Sequence, residues 1–311
     1  MKVFDLHCDT ATKCYDERAP FVQNGFEISL EQASLFEQWV QCFAIFIPDG
    51  LRGAAAYTYY KNVLAYIKEQ SGLSFARRPQ ELRQQLQSGQ GPSVLPILTV
   101  EGGAVLAGNL KNCEALARDG VRMLTLTWNG ENELGYGIEE DKGLKPLGFA
   151  AVRELERLGI VVDVSHLSES GFYDVAKTAT RPFVASHSCA KALCGHPRNL
   201  TDDQFGVIRD SHGLVGINYN QAFLRDSGPA TIQDILCHID HFLQLGGEHV
   251  IALGSDFDGA YMPEDLKTAA ALPQLYEAML AHGYKQSLVW DIFYNNAVHF
   301  FVRQALAHKS V

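Results

Sequence analysis

Eight short apolar runs, distributed along the whole chain, constrain the possible folds more than any other feature of this sequence. They are rich in Val, Ile and Leu and need not alternate with polar residues, which is typical of parallel strands buried on both faces. The runs cover residues 3–6, 40–47, 94–100, 121–127, 160–164, 183–185, 214–219 and 250–253. With helical crossovers between them, they predict an α/β fold, a (β/α)8 TIM barrel. A doubly wound open sheet is the structural alternative.

Helical segments separate several of these runs. The clearest covers residues 146–158, where Pro146 stands at the start and Gly159 follows the end, as is usual at helix termini. Similar patterns cover residues 109–118 and 231–245. The stretch 51–91 is long enough to require more than one helix. Because no linker or repeat divides the chain, we predict one barrel domain over residues 1–311.

The composition narrows the possible partners and the compartment. Acidic residues outnumber basic ones, 36 to 26, and the net charge of −10 argues against nucleic acid as a partner. No apolar run approaches the ~20 residues that span a membrane, and Asp5, His7 and Asp9 stand where a signal peptide would be apolar. The seven Cys form no C-x-x-C pair, which favours reduced thiols. We therefore expect a soluble cytoplasmic protein without a membrane partner.

Residues of the kinds that bind metals follow the predicted strands. In a barrel, the C-terminal ends of the strands converge on one face, so residues that are distant in sequence meet there. Five of the runs are followed by such residues, namely His7 and Asp9, Glu101, His166, His187 and Asp256. Imidazole and carboxylate suit zinc or a similar divalent ion, and six of them are more than one ion needs. This pattern predicts a metal-dependent hydrolase with two ions that share a carboxylate.

Each of these residues also has an ordinary structural explanation when it is taken alone. A single His at a strand end is usually structural, and Asp or Glu often caps the helix that follows. Their joint placement is what favours a metal centre. His7 and Asp9 are two positions apart on a segment predicted to be extended, so their side chains would point to one face and share an ion. By contrast, we expect His238 and His241, three apart in a predicted helix, to lie on a solvated face.

The segments around these residues resemble the membrane (renal-type) dipeptidase family, peptidase family M19, and a bacterial-like soluble member of it. The likeness extends over nearly the whole chain. The matching motifs, in chain order, are FDLHCDT, VEGG, DVSH, ASHS, HPRNLTDD and GSDFDG. No single motif is decisive, but their order and spacing together are highly specific. The resemblance implies a zinc-dependent dipeptidase, and it also implies a homodimer.

The resemblance implies two Zn²⁺ ions per chain and a ligand set for each. His7, Asp9 and Glu101 would hold one ion, and Glu101, His166 and His187 would hold the other. Glu101 would therefore be the bridging carboxylate. A hydroxide between the two ions would be the nucleophile.

The resemblance also implies roles for residues that bind or process the substrate. Asp256 would be the acid/base and not a ligand. Arg198 would bind the C-terminal carboxylate of the dipeptide, because a planar guanidinium matches a carboxylate, and Tyr219 would assist it. Arg198 also has a simpler explanation, a surface ion pair.

One position departs from the animal members of the family. Where those proteins have a His that contacts the substrate carbonyl, this chain has Trp128. An indole donates one hydrogen bond but cannot act as a cationic electrophile. This departure indicates a subgroup with a different substrate profile, and Asn129 or Asn132 is a candidate for the missing donor.

The predicted reaction is hydrolysis of the peptide bond of a dipeptide, with L,D-dipeptides from cell-wall turnover among the plausible substrates. One alternative is another binuclear amidohydrolase-like enzyme, a deaminase or a lactonase. Many such barrels begin with H-x-H and use a lysine or carboxylated lysine as the bridge, whereas this chain has H-x-D and Glu101. The other alternative is a non-catalytic metal-binding barrel, against which the presence of Asp256 together with all five ligands argues.

Overall fold

Eight parallel strands close into a barrel in which neighbours in sequence are neighbours in space. The computed structural model describes residues 1–88 and 94–307. The strands are β1 (Lys2–Cys8), β2 (Gln38–Phe46), β3 (Val94–Glu101), β4 (Val121–Thr125), β5 (Val161–Asp163), β6 (Val184–Ser188), β7 (Leu214–Ile217) and β8 (Ile251–Leu253). The ring is closed by pairing of Asp5 on β1 with Leu253 on β8. The predicted (β/α)8 barrel is confirmed, and the open sheet is excluded.

Helices surround the barrel and connect its strands. Within the described residues they are α1 (Thr10–Glu17), α2 (Gly53–Ser71), α3 (Pro79–Ser88), α4 (Lys111–Asp119), α5 (Pro146–Leu158), α6 (Glu169–Thr178), α7 (Asp202–Asp210), α8 (Gln221–Leu224), α9 (Ile232–Gln244), α10 (Leu272–Ala281), α11 (Gln286–Trp290) and α12 (Asn296–Ala307). Short 3₁₀ segments cover Leu30–Leu35, Gly103–Leu106 and Ala269–Ala271, and a π-helical turn, Asp291–Asn295, joins α11 to α12.

The predicted elements agree closely with this arrangement. Helix α5 has the predicted limits, and Gly159 ends it in the left-handed conformation with φ 71°. The stretch 51–91 contains α2 and α3, as predicted, while its residues 89–91 lie outside the described part of the chain. Strand limits differ from the apolar runs by up to three residues. Strand β6 continues into polar residues where its backbone stays paired, whereas β4 and β7 end before their apolar runs do.

Two apolar clusters make up the core. One cluster takes residues from all eight strands, including Phe4 and Leu6 of β1 and Val184 of β6, and therefore fills the inside of the barrel. The other joins different residues of the same strands to the surrounding helices. The sheet is thus covered on both faces, which explains why its strands read as continuous apolar runs.

Helix α12 closes the N-terminal end of the barrel. Its Phe301 ring stacks on Phe4, with 5.4 Å between the ring centroids. Just before it, the Tyr294 hydroxyl donates to Gln38 at the start of β2, at 2.7 Å. The Asn296 amide donates to the carbonyl of Ile251 at the start of β8, at 2.8 Å. Because this end is sealed, the opposite end is the one that can admit a ligand.

We predict that Phe301→Ala lowers the free energy of unfolding by about 3–5 kcal/mol, the usual cost of removing a buried aromatic ring. Leu306→Ala, on the same helix but 55% exposed, should change it by less than about 0.5 kcal/mol. Urea unfolding followed by circular dichroism measures both. If both variants lost the same free energy of unfolding, α12 would not close the N-terminal end of the barrel through Phe301.

Candidate active site

A cavity of about 650 Å³ opens at the C-terminal end of the barrel strands. Six of the nine residues predicted to form the site line it, namely Asp9, Glu101, Trp128, His166, Arg198 and Asp256. His7 and His187 are almost completely buried beside Glu101, at 1% and 0% exposure. The barrel therefore brings together residues that are up to 249 positions apart in sequence, from His7 to Asp256.

The Glu101 carboxylate lies between two sets of potential ligands. Its Oε2 atom is 3.5 Å from Nε2 of His7. Its Oε1 atom is 2.8 Å from Nε2 of His166 and 3.7 Å from Nε2 of His187. The two oxygens of one carboxylate thus face different imidazoles, which is the arrangement that a carboxylate bridging two ions requires.

The protons on His166 and His187 can be assigned from their partners. Nδ1 of His166 is 2.7 Å from Oδ1 of Asn129, an acceptor, so Nδ1 carries the proton. Nδ1 of His187 is 2.8 Å from the Ser186 hydroxyl, whose own proton goes to Asp163. Both Nε2 atoms are then unprotonated, and they face each other at 3.0 Å. Two lone pairs at this distance repel each other unless a cation lies against them.

His7 and Asp9 form the other side of the centre. Nε2 of His7 and Oδ2 of Asp9 are 3.5 Å apart. Nε2 of His7 and Oδ1 of Asp9 are also buried without a hydrogen-bond partner among the described residues, which is costly unless a ligand satisfies them. The prediction that Asp9 is on an extended segment is wrong. Asp9 lies immediately before α1 with φ −100° and ψ 7°, and this turn into the helix, not strand alternation, places its carboxylate near His7.

Burial and mutual repulsion dominate the electrostatics of the site. Burial raises the pKa of Glu101 to about 7, and Asp9 adds to the rise while His7 opposes it. Burial lowers the pKa values of His166 and His187, and the positive charges of Arg198 and His7 lower them further. The pKa of His7 is raised despite its burial, because the Glu101 and Asp9 carboxylates outweigh desolvation. Divalent cations would offset these carboxylate charges and use the free nitrogen lone pairs, so the residues fit such ions.

Asp256 reaches the site from the loop after β8. Its Oδ1 atom is 3.8 Å from Nε2 of His7, and its Oδ2 atom accepts a hydrogen bond from the Asn218 amide at 2.9 Å. Burial raises the pKa of Asp256 to about 6, while His7 and Asn218 oppose the rise. Ligand atoms of His7, Asp9 and Asp256 lie within 4.8 Å of one another, so distance alone would also admit Asp256 as a ligand.

Strained backbone aims two of these side chains. His166 and Asp256 have φ values of 66° and 64°, in the left-handed region that residues other than glycine rarely adopt. Each lies three residues after the end of a short strand, where the chain must turn at the rim of the barrel. Such strain persists only where the surroundings hold it, and it is concentrated at functional sites.

Buried carboxylates hold the loops that carry the site. Asp5 on β1 accepts hydrogen bonds from the backbone and the hydroxyl of Ser255, at 2.8 and 2.5 Å, and from the Gln41 amide at 3.1 Å. It therefore fixes the residue that precedes Asp256. Asp163 on β5 has the same function for β4 and β6. Neither Asp5 nor Asp163 was predicted to support the site, since an Asp inside a predicted strand carries no signal of its partners.

Arg198 lies in the cavity wall with no carboxylate partner among the described residues. One terminal nitrogen donates to the His187 carbonyl at 3.1 Å, and its Nε has no hydrogen-bond partner there although the side chain is 4% exposed. The alternative of a surface ion pair is wrong, because the residue is buried. Its guanidinium carbon is 5.4 Å from the centre of the Phe223 ring, which orients it.

Tyr219 does not reach the cavity. Its side chain is fully buried against Phe257, its hydroxyl has no hydrogen-bond partner among the described residues, and it is absent from the cavity wall. No contact therefore supports the predicted role of Tyr219 in assisting Arg198. In the same segment it is Asn218 that meets the site, through Asp256. The sequence signal for Asn218 was its position at the end of an apolar run.

Trp128 and Asn129 occupy the wall beside His166. The Trp128 ring packs edge-on against Phe46, with 5.0 Å between centroids, and lines the cavity together with Asn129. Asn129 contributes its oxygen to His166. Asn132, the other candidate donor, is used within its own loop, where its amide donates to the Leu126 carbonyl at 2.8 Å.

His238 is not on a solvated helix face, and that prediction is wrong. It is fully buried in α9, where Nδ1 accepts a hydrogen bond from the Ala190 backbone at 3.0 Å and Nε2 is 2.9 Å from the Leu224 carbonyl. The imidazole joins the end of β6 to α8. Its role is structural, because both nitrogens are occupied by backbone groups.

Among residues 1–88 and 94–307, no helix combines the length and the apolar character that crossing a bilayer requires. The seven cysteines are free thiols, six of them buried.

Known proteins with a similar sequence or structure point to one family. A model of the membrane dipeptidase family (peptidase family M19) matches residues 1–310. A Klebsiella pneumoniae protein described as an uncharacterized protein in the pqqA 5′ region is 38% identical over 209 residues, which cover 63% of this chain and 77% of that protein.

Solved structures agree with the family match. A metallopeptidase from Rhodobacter sphaeroides, liganded with a phosphinate mimic of the dipeptide L-Ala-D-Ala, is 28% identical with a TM-score of 0.90, covering 98% of this chain and 99% of that one. Dipeptidase AC, a metallopeptidase of family M19, is 29% identical with a TM-score of 0.90, covering 98% of each chain. The probable dipeptidase PvdM from Pseudomonas aeruginosa, 18% identical with a TM-score of 0.80 over 92% of this chain and 91% of that one, shares the fold.

We predict that Gly259→Ala sharply weakens metal binding, because a Cβ atom there would lie 2.0 Å from Oδ2 of Asp9 and 2.9 Å from Oδ1 of Asp256. Gly50→Ala is the matched control, since nothing lies within 4 Å of its added Cβ. Metal content after dialysis, measured by inductively coupled plasma mass spectrometry, distinguishes the two. A Gly259→Ala protein with the metal content of the parent would show that Asp9 does not have to stay in place.

Proposed function

The chain belongs to the membrane dipeptidase family, peptidase family M19, and is a metallo-dipeptidase; on that premise we propose that it hydrolyses dipeptides with two zinc ions. The observation that carries the proposal is the division of the Glu101 oxygens between two sets of ligands. His7 and Asp9 would complete one set, and His166 and His187 the other. Imidazole and carboxylate together are typical of catalytic zinc sites.

The metal centre and the residues around it would divide the chemical work. Bound divalent ions would polarise the scissile carbonyl and make a water molecule acidic enough to attack near neutral pH. Side chains of the protein would transfer the proton and position the substrate, which the ions cannot do.

Asp256 has the geometry of the group that moves the proton. The Asn218 amide occupies its Oδ2 atom, so Oδ1, the oxygen nearer to His7, is left to accept a proton from the attacking water. Asp256 would then return this proton to the leaving amine.

Arg198 would set the length of the substrate. It has no acidic partner among the described residues and it faces the same cavity as the metal ligands. A free carboxylate bound there would be held at a fixed distance from the scissile bond, so that one residue, and no longer peptide, fits between them. This would make the enzyme a dipeptidase and not an endopeptidase.

Trp128 would narrow the range of substrates. With Phe46 and Ile138 it contributes apolar surface to the cavity, opposite in character to the Arg198 side. The Rhodobacter structure contains a mimic of L-Ala-D-Ala, and small L,D-dipeptides are therefore the first substrates to try here. The predicted homodimer and the cytoplasmic location rest on sequence alone and stay predictions.

We predict that Asp256→Asn retains both zinc ions but loses at least about 10²-fold in kcat, the usual contribution of a positioned acid/base. An amide keeps the shape of the carboxylate but cannot take up a proton at neutral pH. Zinc analysis and turnover of L,L- and L,D-dipeptides by the zinc-loaded protein measure the two effects.

The outcomes of this experiment distinguish the proposed roles. Parental turnover by Asp256→Asn would remove Asp256 from the mechanism, and loss of one zinc ion would make it a ligand. If the parent protein binds two ions but cleaves no dipeptide, assays for deaminase and lactonase activity become the next step.

Arg198→Met should raise KM for dipeptides by about 10²-fold, since a charge-assisted bond to a buried carboxylate is worth roughly 1.5–3 kcal/mol. The same variant should treat a dipeptide amide, which lacks the carboxylate, much as the parent does. Initial rates against substrate concentration for the acid and the amide test this difference. An equal loss on both substrates would show that Arg198 only supports the fold.

A further inference from the structure

We propose that Asp163 and Ser186 hold His187 in the tautomer that can bind a cation, which makes Asp163 a positioning residue for the metal centre. The inference rests on the proposed function, in which His187 is a ligand. It assigns a role to Asp163, the Asp of the DVSH segment, whose His166 is a proposed metal ligand.

The Asp163 carboxylate is fully buried and accepts four hydrogen bonds. Its Oδ1 atom accepts from the backbone nitrogens of Ser165 and Ser186, at 3.0 and 2.9 Å. Its Oδ2 atom accepts from the hydroxyls of Thr125 and Ser186, both at 2.6 Å. An ionised carboxylate can only accept, so each of these groups must turn its hydrogen toward Asp163. The residue therefore joins β4, β5 and β6 at the level of the site.

The direction of these bonds determines where the proton on His187 lies. Ser186 has a single hydroxyl proton, and Asp163 takes it. The Ser186 oxygen is then an acceptor for Nδ1 of His187, 2.8 Å away. With its proton on Nδ1, His187 has a free lone pair on Nε2, which faces Oε1 of Glu101 at 3.7 Å. The opposite tautomer would place a hydrogen where the cation must bind.

Other groups hold the backbone of His187, although one of them, Ser165, is itself 3.4 Å from the Ser186 hydroxyl through its own hydroxyl oxygen. Its backbone nitrogen donates to the Ser165 hydroxyl at 3.2 Å, and its carbonyl accepts from Arg198 at 3.1 Å. His166 has its own partner in Asn129. Loss of the Ser186 hydroxyl should thus affect the tautomer and orientation of one ring, and leave the other ligands unchanged.

Ser186→Ala and Thr125→Val form a matched pair for the test. Each removes one hydroxyl that donates to Oδ2 of Asp163 at 2.6 Å, but only Ser186 also contacts His187. Zinc affinity is measured by competition with a chromophoric chelator, and thermal unfolding of the metal-free proteins gives their stability. We expect Ser186→Ala to weaken zinc binding at the site that includes His187 by about 10–100-fold and Thr125→Val to change it by less than about 3-fold, at similar metal-free stability. In Asp163→Asn, the new amide can donate to the Ser186 oxygen, so that the Ser186 hydroxyl turns its hydrogen toward His187. This variant should lose at least as much zinc affinity as Ser186→Ala.

One further variant, His187→Ala, keeps the outcomes distinct. If Ser186→Ala and Thr125→Val lose zinc affinity equally, the pair has a structural role only and the proposal is overturned. Parental affinity in Ser186→Ala, with loss in His187→Ala, would overturn it while the ligand assignment stands. Parental affinity in His187→Ala would instead contradict the proposed function. If Ser186→Ala does not fold, Asp163→Asn against Thr125→Val provides the same comparison.

Discussion

The structure of this site depends on one buried carboxylate. Glu101 lies with 3% exposure between His7 on one side and His166 and His187 on the other, close to two further carboxylates. Burying so many ionisable groups costs free energy unless opposite charges compensate it. Divalent cations provide that compensation, and the raised pKa of Glu101, about 7, indicates how unfavourable its charge is without them. Metal binding and the order of the site are therefore linked.

The barrel can tolerate this charge because its two ends differ. The N-terminal end is apolar and sealed by α12 through Phe301 and Phe4. Toward the other end, Asp5 and Asp163 replace apolar packing with hydrogen bonds that join neighbouring strands. Strain at His166 and Asp256 is held by these fixed surroundings. The N-terminal end of the barrel thus contributes mainly to stability and the C-terminal end carries the site, as is usual for this fold.

The cavity wall combines two kinds of surface. Arg198 offers a buried positive charge supported by the Phe223 ring. Trp128 and Phe46 offer apolar surface. A small molecule with one free carboxylate and a compact apolar part matches both kinds of surface, which agrees with a dipeptide and disfavours a long peptide. The Asn129 oxygen, next to Trp128, contacts Nδ1 of His166, so the segment that contains Trp128 also supports a proposed metal ligand.

The sequence alone determined the barrel, the limits of helix α5 and the strand ends that carry the proposed metal ligands, because apolar periodicity, helix punctuation and strand ends are local properties. It could not determine the partners of Asp5, Asp163 and Asn218, the burial of Tyr219 and His238, or the departure of Asp9 from extended backbone. These depend on which strands become neighbours and on how each loop turns. Hydrogen-bond direction and burial are set by groups far away in sequence, so only the tertiary structure decided which side chains face the cavity and which hold it in place.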